Sequence, residues 1–215
     1  ALDAPVSGGQ SGAENGTLLF MAGGDRAVYD ELMPVMMAMG TKAIHCGEMG
    51  QGSTVKLVGN SVISFMLEAL CEGIVLGRKA GVPLETIVEV IQASGYASPY
   101  YAFKAAAIAK RDFDEHFAID LLVKDQTLML QQAVRSGNSV FATGNGARVL
   151  LGAGLLNRRQ VAADSATLEL LSASGAHATD AAFVLDGPIY TSRDAFGMPG
   201  LMERLIDSLL LKTPR

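Results

Sequence analysis

Apolar residues follow two rhythms along this chain. Up to about residue 48 they form short runs bounded by glycine. Thr17-Leu18-Leu19-Phe20-Met21-Ala22, between Gly16 and Gly23-Gly24, predicts a buried strand. Asp25 is placed to cap a helix through about Met39, with Val28, Leu32, Val35 and Met36 facing inward and Gly40 ending it. Thr41–Cys46 then reads as another short strand, and Leu2–Val6 as an earlier one that runs straight into a glycine turn. The order is β-turn-β-α-β, the kind that finishes an α/β sheet. A strand at the very start is abrupt, as if the chain opened in mid-protein.

From about residue 53 the spacing turns helical. The first helix is expected from Ser53 or Thr54 to about Ala80, roughly 40 Å at about 1.5 Å per residue. It is apolar on nearly every side, through Val62, Ile63, Phe65, Met66, Leu67, Leu70, Ile74 and Val75, which predicts burial. Gly81-Val82-Pro83 stops it, and Pro83 opens the next helix, Leu84 to Ser94. Further helices are expected over about Pro99–Lys110, Ile119–Ser136, 143–156 and 164–173, the last capped by Asp164. After about residue 176 the character changes. Asp186-Gly187-Pro188 predicts a turn, and Pro199–Leu211 a helix with Leu201, Leu205 and Leu209 as its apolar stripe. These patterns divide the chain into 1–48, 49–175 and a tail over 176–215.

Composition narrows the function. The net charge is −5 over 215 residues, with no basic block, which argues against nucleic acid as a partner. Two cysteines, Cys46 and Cys71, are too few for a disulfide framework or a zinc site, so no metal is expected. They suit a reducing compartment, the cytoplasm or, in a eukaryote, the mitochondrial matrix. No charge-free apolar run of 18 residues occurs, so no membrane span is expected.

Three segments hold the candidate chemistry. Lys56 and Asn60 sit at i and i+4 near the start of the long helix, on one face. A lysine there is usually a solvated surface charge. Drawn into an apolar surround, near the positive end of the helix dipole, it would have a lowered pKa and could give and take a proton. Ser7-Gly8-Gly9 at a strand end exposes backbone N–H groups beside a hydroxyl, a concavity suited to carboxylate or phosphate, although an ordinary glycine turn reads the same. Lys124-Asp125, early in a helix, is by itself an unremarkable solvated pair.

Taken in this order and at these separations, the three segments resemble the β-hydroxyacid dehydrogenase family, which includes 3-hydroxyisobutyrate dehydrogenase and tartronate semialdehyde reductase. Ser7-Gly8-Gly9, with Gly12-Ala13 and Gly16-Thr17-Leu18, resembles the family's substrate loop. Gly50-x-Gly52-x-x-x-Lys56-x-x-x-Asn60 is similar to the start of its catalytic helix, and Asp164-Ser165-Ala166 also fits. The resemblance spans roughly residues 1–175. It implies a mainly α fold, the all-helical domain of a 6-phosphogluconate-dehydrogenase-like protein, preceded by the last β-α-β elements of a Rossmann-type domain. It implies Lys56 as general acid/base, Ser7, Gly8, Gly9 and Asn60 on the substrate, and Lys124 with Asp125 at an NAD or NADP cofactor. A small hydroxy-acid substrate and a homodimer or higher homo-oligomer go with it, alongside a separate or missing Rossmann domain. Two departures stand out. No G-x-G-x-x-G turn is present: Gly144-Asn145-Gly146 and Gly152-Ala153-Gly154 are not read as following a strand in a βαβ setting. Gly59 stands where many relatives have a second asparagine. The rival expectation is a non-catalytic helical dimerisation module derived from such an enzyme.

Overall fold

A computed structural model describes residues 1–114 and 117–212 of the chain. It comprises two compact units, Ala1–Gln126 and Thr127–Arg215.

The first unit opens with a four-stranded sheet. β3 (Leu18–Gly24) is its centre, antiparallel to β1 (Leu2–Asp3) and β2 (Val6–Ser7), and parallel to β4 (Gly40–Gly47). Pro5 interrupts the expected single strand over Leu2–Val6, since proline supplies no N–H to a ladder. A short helix α1 (Gly9–Glu14) joins β2 to β3. Helix α2 (Arg26–Met37) starts where expected, because the Asp25 side chain accepts from the N–H groups of Ala27 and Val28 at 2.8 and 3.0 Å. Of the expected inward residues Met36 is buried and Val28 half-buried, but the rest of the stripe differs. Tyr29 and Met36 are buried, seven apart on one face with Met33, whereas Leu32 and Val35 are exposed. Leu18, Phe20 and Ala22 of β3 complete that core.

Helix α3 (Gln51–Lys79) is followed by α4 (Leu84–Ala93), α5 (Pro99–Lys110) and α6 (Ile119–Arg135), and the boundary between units falls inside α6. The root of α3 presses against the sheet. A side chain at Gly52 would fall on the carbonyl oxygens of Met21 and Asp3, so this close approach requires glycine. The rest of α3 corrects the expectation of burial. Only Gly52, Asn60, Ser61, Leu70 and Ile74 are buried along it, while Phe65 is 67% and Leu76 73% exposed. The helix packs on β1, β3, β4, α4 and α5, which leave these side chains uncovered. By length and composition alone α3 could also cross a membrane, contrary to expectation. Lys56, Glu68 and Glu72 lie along it, and it packs on β3.

The second unit mixes strand and helix where helices alone were expected. β5 (Val140–Thr143) pairs in parallel with β9 (Ile189–Ser192), which forms a hairpin with β8 (Phe183–Asp186). The expected turn is there, a two-residue connection in which Gly187 takes a φ of 59°. β6 (Gln160–Ala162) pairs in parallel with β7 (His177–Thr179). Helices α7 (Gly146–Gly152) and α8 (Ser165–Ala173) alternate with these strands, α8 capped by the Asp164 carboxylate on the Thr167 N–H at 2.9 Å. Leu150, Leu156, Val161, Leu171 and Ile189 make a nearly sealed apolar core. Gly144-Asn145-Gly146 does follow a strand and open a helix, but β5 and the next strand, β6, lie in different sheets, so the segment is not set in a βαβ unit of one sheet. Val149 still occupies the third glycine position of a dinucleotide turn. α9 (Met198–Lys212) ends the chain with Leu201 buried. The side chains of Leu205 and Leu209, the rest of the expected stripe, lie outside the described residues.

Candidate active site

The first turns of α3 have no cap of their own. Gly50 at the N-cap takes a φ of 90° and offers no side chain. The cap comes instead from β1: Asp3 accepts from the Ser53 N–H at 2.8 Å and from the Ser53 hydroxyl at 2.6 Å. A carboxylate at a helix N-terminus satisfies orphan donors and the positive end of the dipole together. This contact fixes where Lys56 emerges, one turn further on. Sequence reading missed it. The available signal was a glycine-opened helix, lacking a capping residue of its own, downstream of an aspartate ending a strand.

Lys56 is half-buried. Its pKa is lowered, first by burial, which penalises the ammonium, and further by the like charge of Lys124, while Asp125 pulls it back up. A lysine held this way can reach its neutral form below the ordinary range, the property a general acid/base requires.

Asn60, one turn along, is 6% exposed, and Asp125 on α6 is 7% exposed. The Asn60 amide donates to Asp125 Oδ2 across this helix pair. The other carboxylate oxygen lies 3.0 Å from Lys124 Nζ, whose side chain remains 58% exposed. A buried carboxylate without partners would be costly, and here both oxygens are engaged. The next residue extends the contact. Gln126 accepts from the Ser61 hydroxyl at 3.4 Å and donates to the Ser64 hydroxyl at 3.1 Å. These polar links set the register of α6 on α3, and sequence reading named neither the serines nor Gln126. Lys56, Asn60, Lys124 and Asp125, identified separately along the chain, thus form one group.

Ser7, Gly8 and Gly9 lie at the end of β2. Ser7 faces Leu19 in the ladder, and Gly8 and Gly9 take φ values of 137° and 62°. Both glycines are exposed, so their backbone is open to a ligand. Among the described residues no hydrogen bond or ion pair joins this loop to the lysine group: Ser7 pairs with Leu19, whereas Asp3, which caps α3, pairs with Gly23 at the other end of β3. Gly59 is exposed, with open space where a side chain would stand. Among the described residues no three His, Cys, Asp or Glu side chains gather as a metal site would need. For a dinucleotide, the accessible Lys124 ammonium could meet an anionic or amide group, whereas Asp125 is spent on Asn60 and Lys124. A glycine cradle for the phosphates is not found among the described residues.

Residues 50–173 match a family described as the NAD-binding domain of NADP-dependent 3-hydroxyisobutyrate dehydrogenase, and residues 1–47 match the NAD binding domain of 6-phosphogluconate dehydrogenase. A 2-(hydroxymethyl)glutarate dehydrogenase of Eubacterium barkeri is 41% identical over 138 residues, 64% of this chain and 46% of its own length. Glyoxylate/succinic semialdehyde reductase 2 of Arabidopsis thaliana is 32% identical over 67% of this chain and 41% of its own length. Among solved structures, the 3-hydroxyisobutyrate dehydrogenase of Mycobacterium tuberculosis with L-serine aligns at a TM-score of 0.60 and 32% identity. That alignment covers 65% of this chain and 50% of the other. The chain thus spans somewhat less than half the length of these curated relatives. With more than half of its residues inside one family match, and with the α3–α6 group in place, this chain belongs to the β-hydroxyacid dehydrogenase family.

Proposed function

We propose that the chain is the later portion of an NAD(P)-dependent dehydrogenase that interconverts a small 3-hydroxy acid and its aldehyde or keto form. The observation that carries this reading is a half-buried lysine with a lowered pKa, one helical turn from an amide fixed by a buried carboxylate. Lys56 is the general acid/base. In the oxidative direction its neutral amine takes the proton of the substrate hydroxyl, and in reduction its ammonium returns it. The nicotinamide, when bound, supplies the hydride acceptor or donor. Asn60 orients the substrate. The Ser7–Gly9 loop holds the carboxylate through its hydroxyl and open backbone, which fixes the carbon facing the cofactor. The relatives are named for small hydroxy-acid and semialdehyde chemistry, and the mycobacterial one carries L-serine, itself a 3-hydroxy acid. Lys124 is the residue of this group able to reach a cofactor.

The test is dinucleotide binding. NAD and NADP are titrated against this chain alone and against the chain joined to a dinucleotide-binding domain of a relative. Binding and turnover only in the joined protein are expected, with the isolated chain inactive. Robust turnover by the isolated chain would mean that the cofactor site is misassigned.

A second reading, a helical dimerisation module without catalysis, is favoured by one observation. α3 leaves Val58, Val62, Phe65, Val75 and Leu76 exposed within a single chain. The two readings share a prediction, a homodimer through these helices, that sedimentation equilibrium can check. They part on turnover of the joined protein.

A further inference from the structure

The Asn60–Asp125 contact decides which end of the amide faces a ligand. An ionised carboxylate has no hydrogen to give, so it can only accept. The Asn60 amide must therefore turn its nitrogen toward Asp125 Oδ2, as observed, and its carbonyl oxygen away. Asn60 Oδ1 has no protein donor among the described residues. Yet Gln92 Nε2 is the one buried side-chain polar atom there that lacks a partner. Asn60 Oδ1 is therefore reachable from outside, although the residue as a whole is 6% exposed. Lys124 holds the second carboxylate oxygen at 3.0 Å, and the Ser61–Gln126–Ser64 contacts lock α6 in place. The amide has little freedom to flip, since the reversed orientation would set two oxygens against each other in a buried site.

We propose that Asp125 is a positioning residue that fixes Asn60 as a hydrogen-bond acceptor toward the substrate. The site consequently selects ligands that bring a donor, a hydroxyl or ammonium, to that point, and discriminates against ethers and other donor-free analogues of the same shape. The selectivity rests on the hydroxy-acid reading of this site; the amide orientation does not. The penalty for a donor-free ligand is an unpaired buried carbonyl oxygen, the asymmetry that makes polar sites selective.

The test is NMR of the whole chain with labelled asparagine and lysine, in wild type, D125N and K124M. In the wild-type chain one Asn60 side-chain amide proton should lie downfield and exchange on the order of tenfold more slowly than exposed asparagines. An ordinary position with fast exchange in the wild-type chain would overturn the proposal without any variant. In D125N, whose neutral amide oxygen is a weaker acceptor than the carboxylate, that signature should be clearly reduced. Asp125 and Lys124, both on α6, are the charged groups that act on Lys56 among the described residues. The Lys56 titration midpoint should therefore fall in D125N and rise in K124M, shifts of opposite sign that a merely structural role would not produce. Unchanged Asn60 resonances in a folded D125N would contradict the positioning role. Selectivity is read by titrating 3-hydroxypropanoate and 3-methoxypropanoate into the wild-type chain. Asn60 should respond to the first at least about tenfold more strongly, and equal or absent responses would overturn the selectivity. Loss of the hydroxy-acid reading would appear separately, as turnover independent of Lys56 with the Asn60 signature intact.

Discussion

The core of the second unit and the α3–α6 contact of the first bury different things. In the second unit the core is mainly aliphatic, with Leu150, Leu156, Val161, Leu171 and Ile189 all at 2% exposure or less, beside the hydroxyl-bearing Thr167, Thr191 and Ser192 at 1%. Where α3 meets α6, the buried residues are Asn60, Ser61 and Asp125, and large apolar side chains of the same helix stand outside. Apolar burial stabilises in proportion to area and asks little of geometry, whereas a buried carboxylate is tolerated only if each oxygen finds its partner. The first arrangement holds a fold together. The second spends stability on fixing a few polar atoms.

That contrast can be broken or sharpened by substitution. The largest stability effect is expected in the aliphatic unit. Leu171→Ala should cost about 2–5 kcal/mol, read as loss of hydrogen-exchange protection over β5, β6 and β9. Lys56→Ala should leave protection in both units close to unchanged, and a comparable loss there would make Lys56 structural. Next in size is the cap on α3. Asp3→Ala should cost about 1 kcal/mol in denaturant unfolding and loosen the first turn of α3, where Ser53 loses both of its bonds to Asp3. An unchanged midpoint would show that Gly50 and solvent suffice.

Smaller still is Gly59→Ala. With open space around this exposed helical position, alanine should stabilise by about 0.5–1 kcal/mol. Destabilisation would mean that α3 needs the glycine for an approach not seen in a single chain. The smallest effect is a pH dependence. Because the Lys56 pKa is lowered when folded, the unfolded chain binds the proton more tightly. This group's contribution to stability should therefore rise with pH through the interval between its folded midpoint and the ordinary 10.5, and vanish in Lys56→Met. A fall with pH over that interval, lost in the same variant, would reverse the sign assigned to burial.

Local signals in the sequence were read well. Asp25 and Asp164 cap the helices they precede, Gly81-Val82-Pro83 stops α3, and Gly187-Pro188 turns the β8–β9 hairpin. Each is decided within a few residues, by a capping side chain at Asp25 and Asp164 and by glycine in the left-handed region at Gly81 and Gly187. The strands of the second unit were not legible. β6 and β7 are three residues each and exist only by pairing with one another, and Val140-Phe141-Ala142-Thr143 fits a buried helix as well as a strand. On α2 the expected Met36 is buried, but Tyr29 and Met33 face inward in place of Leu32 and Val35, a choice made by the sheet the helix packs on. For the site, residue spacing placed Lys56 beside Asn60. Only family resemblance joined them to Lys124 and Asp125, since no local pattern links positions 65 residues apart. Asp3, Ser61 and Gln126 act through tertiary contacts, and the one local signal among them is the glycine-opened start of α3 without a capping side chain of its own.

Turnover of Lys56→Ala, in the chain joined to a dinucleotide-binding domain, tests the central claim most directly. Hydride transfer from a small 3-hydroxy acid should fall about a hundredfold or more while NAD(P) affinity is retained. Turnover near that of the unsubstituted protein would remove Lys56 from the chemistry, and with it the reading of this site.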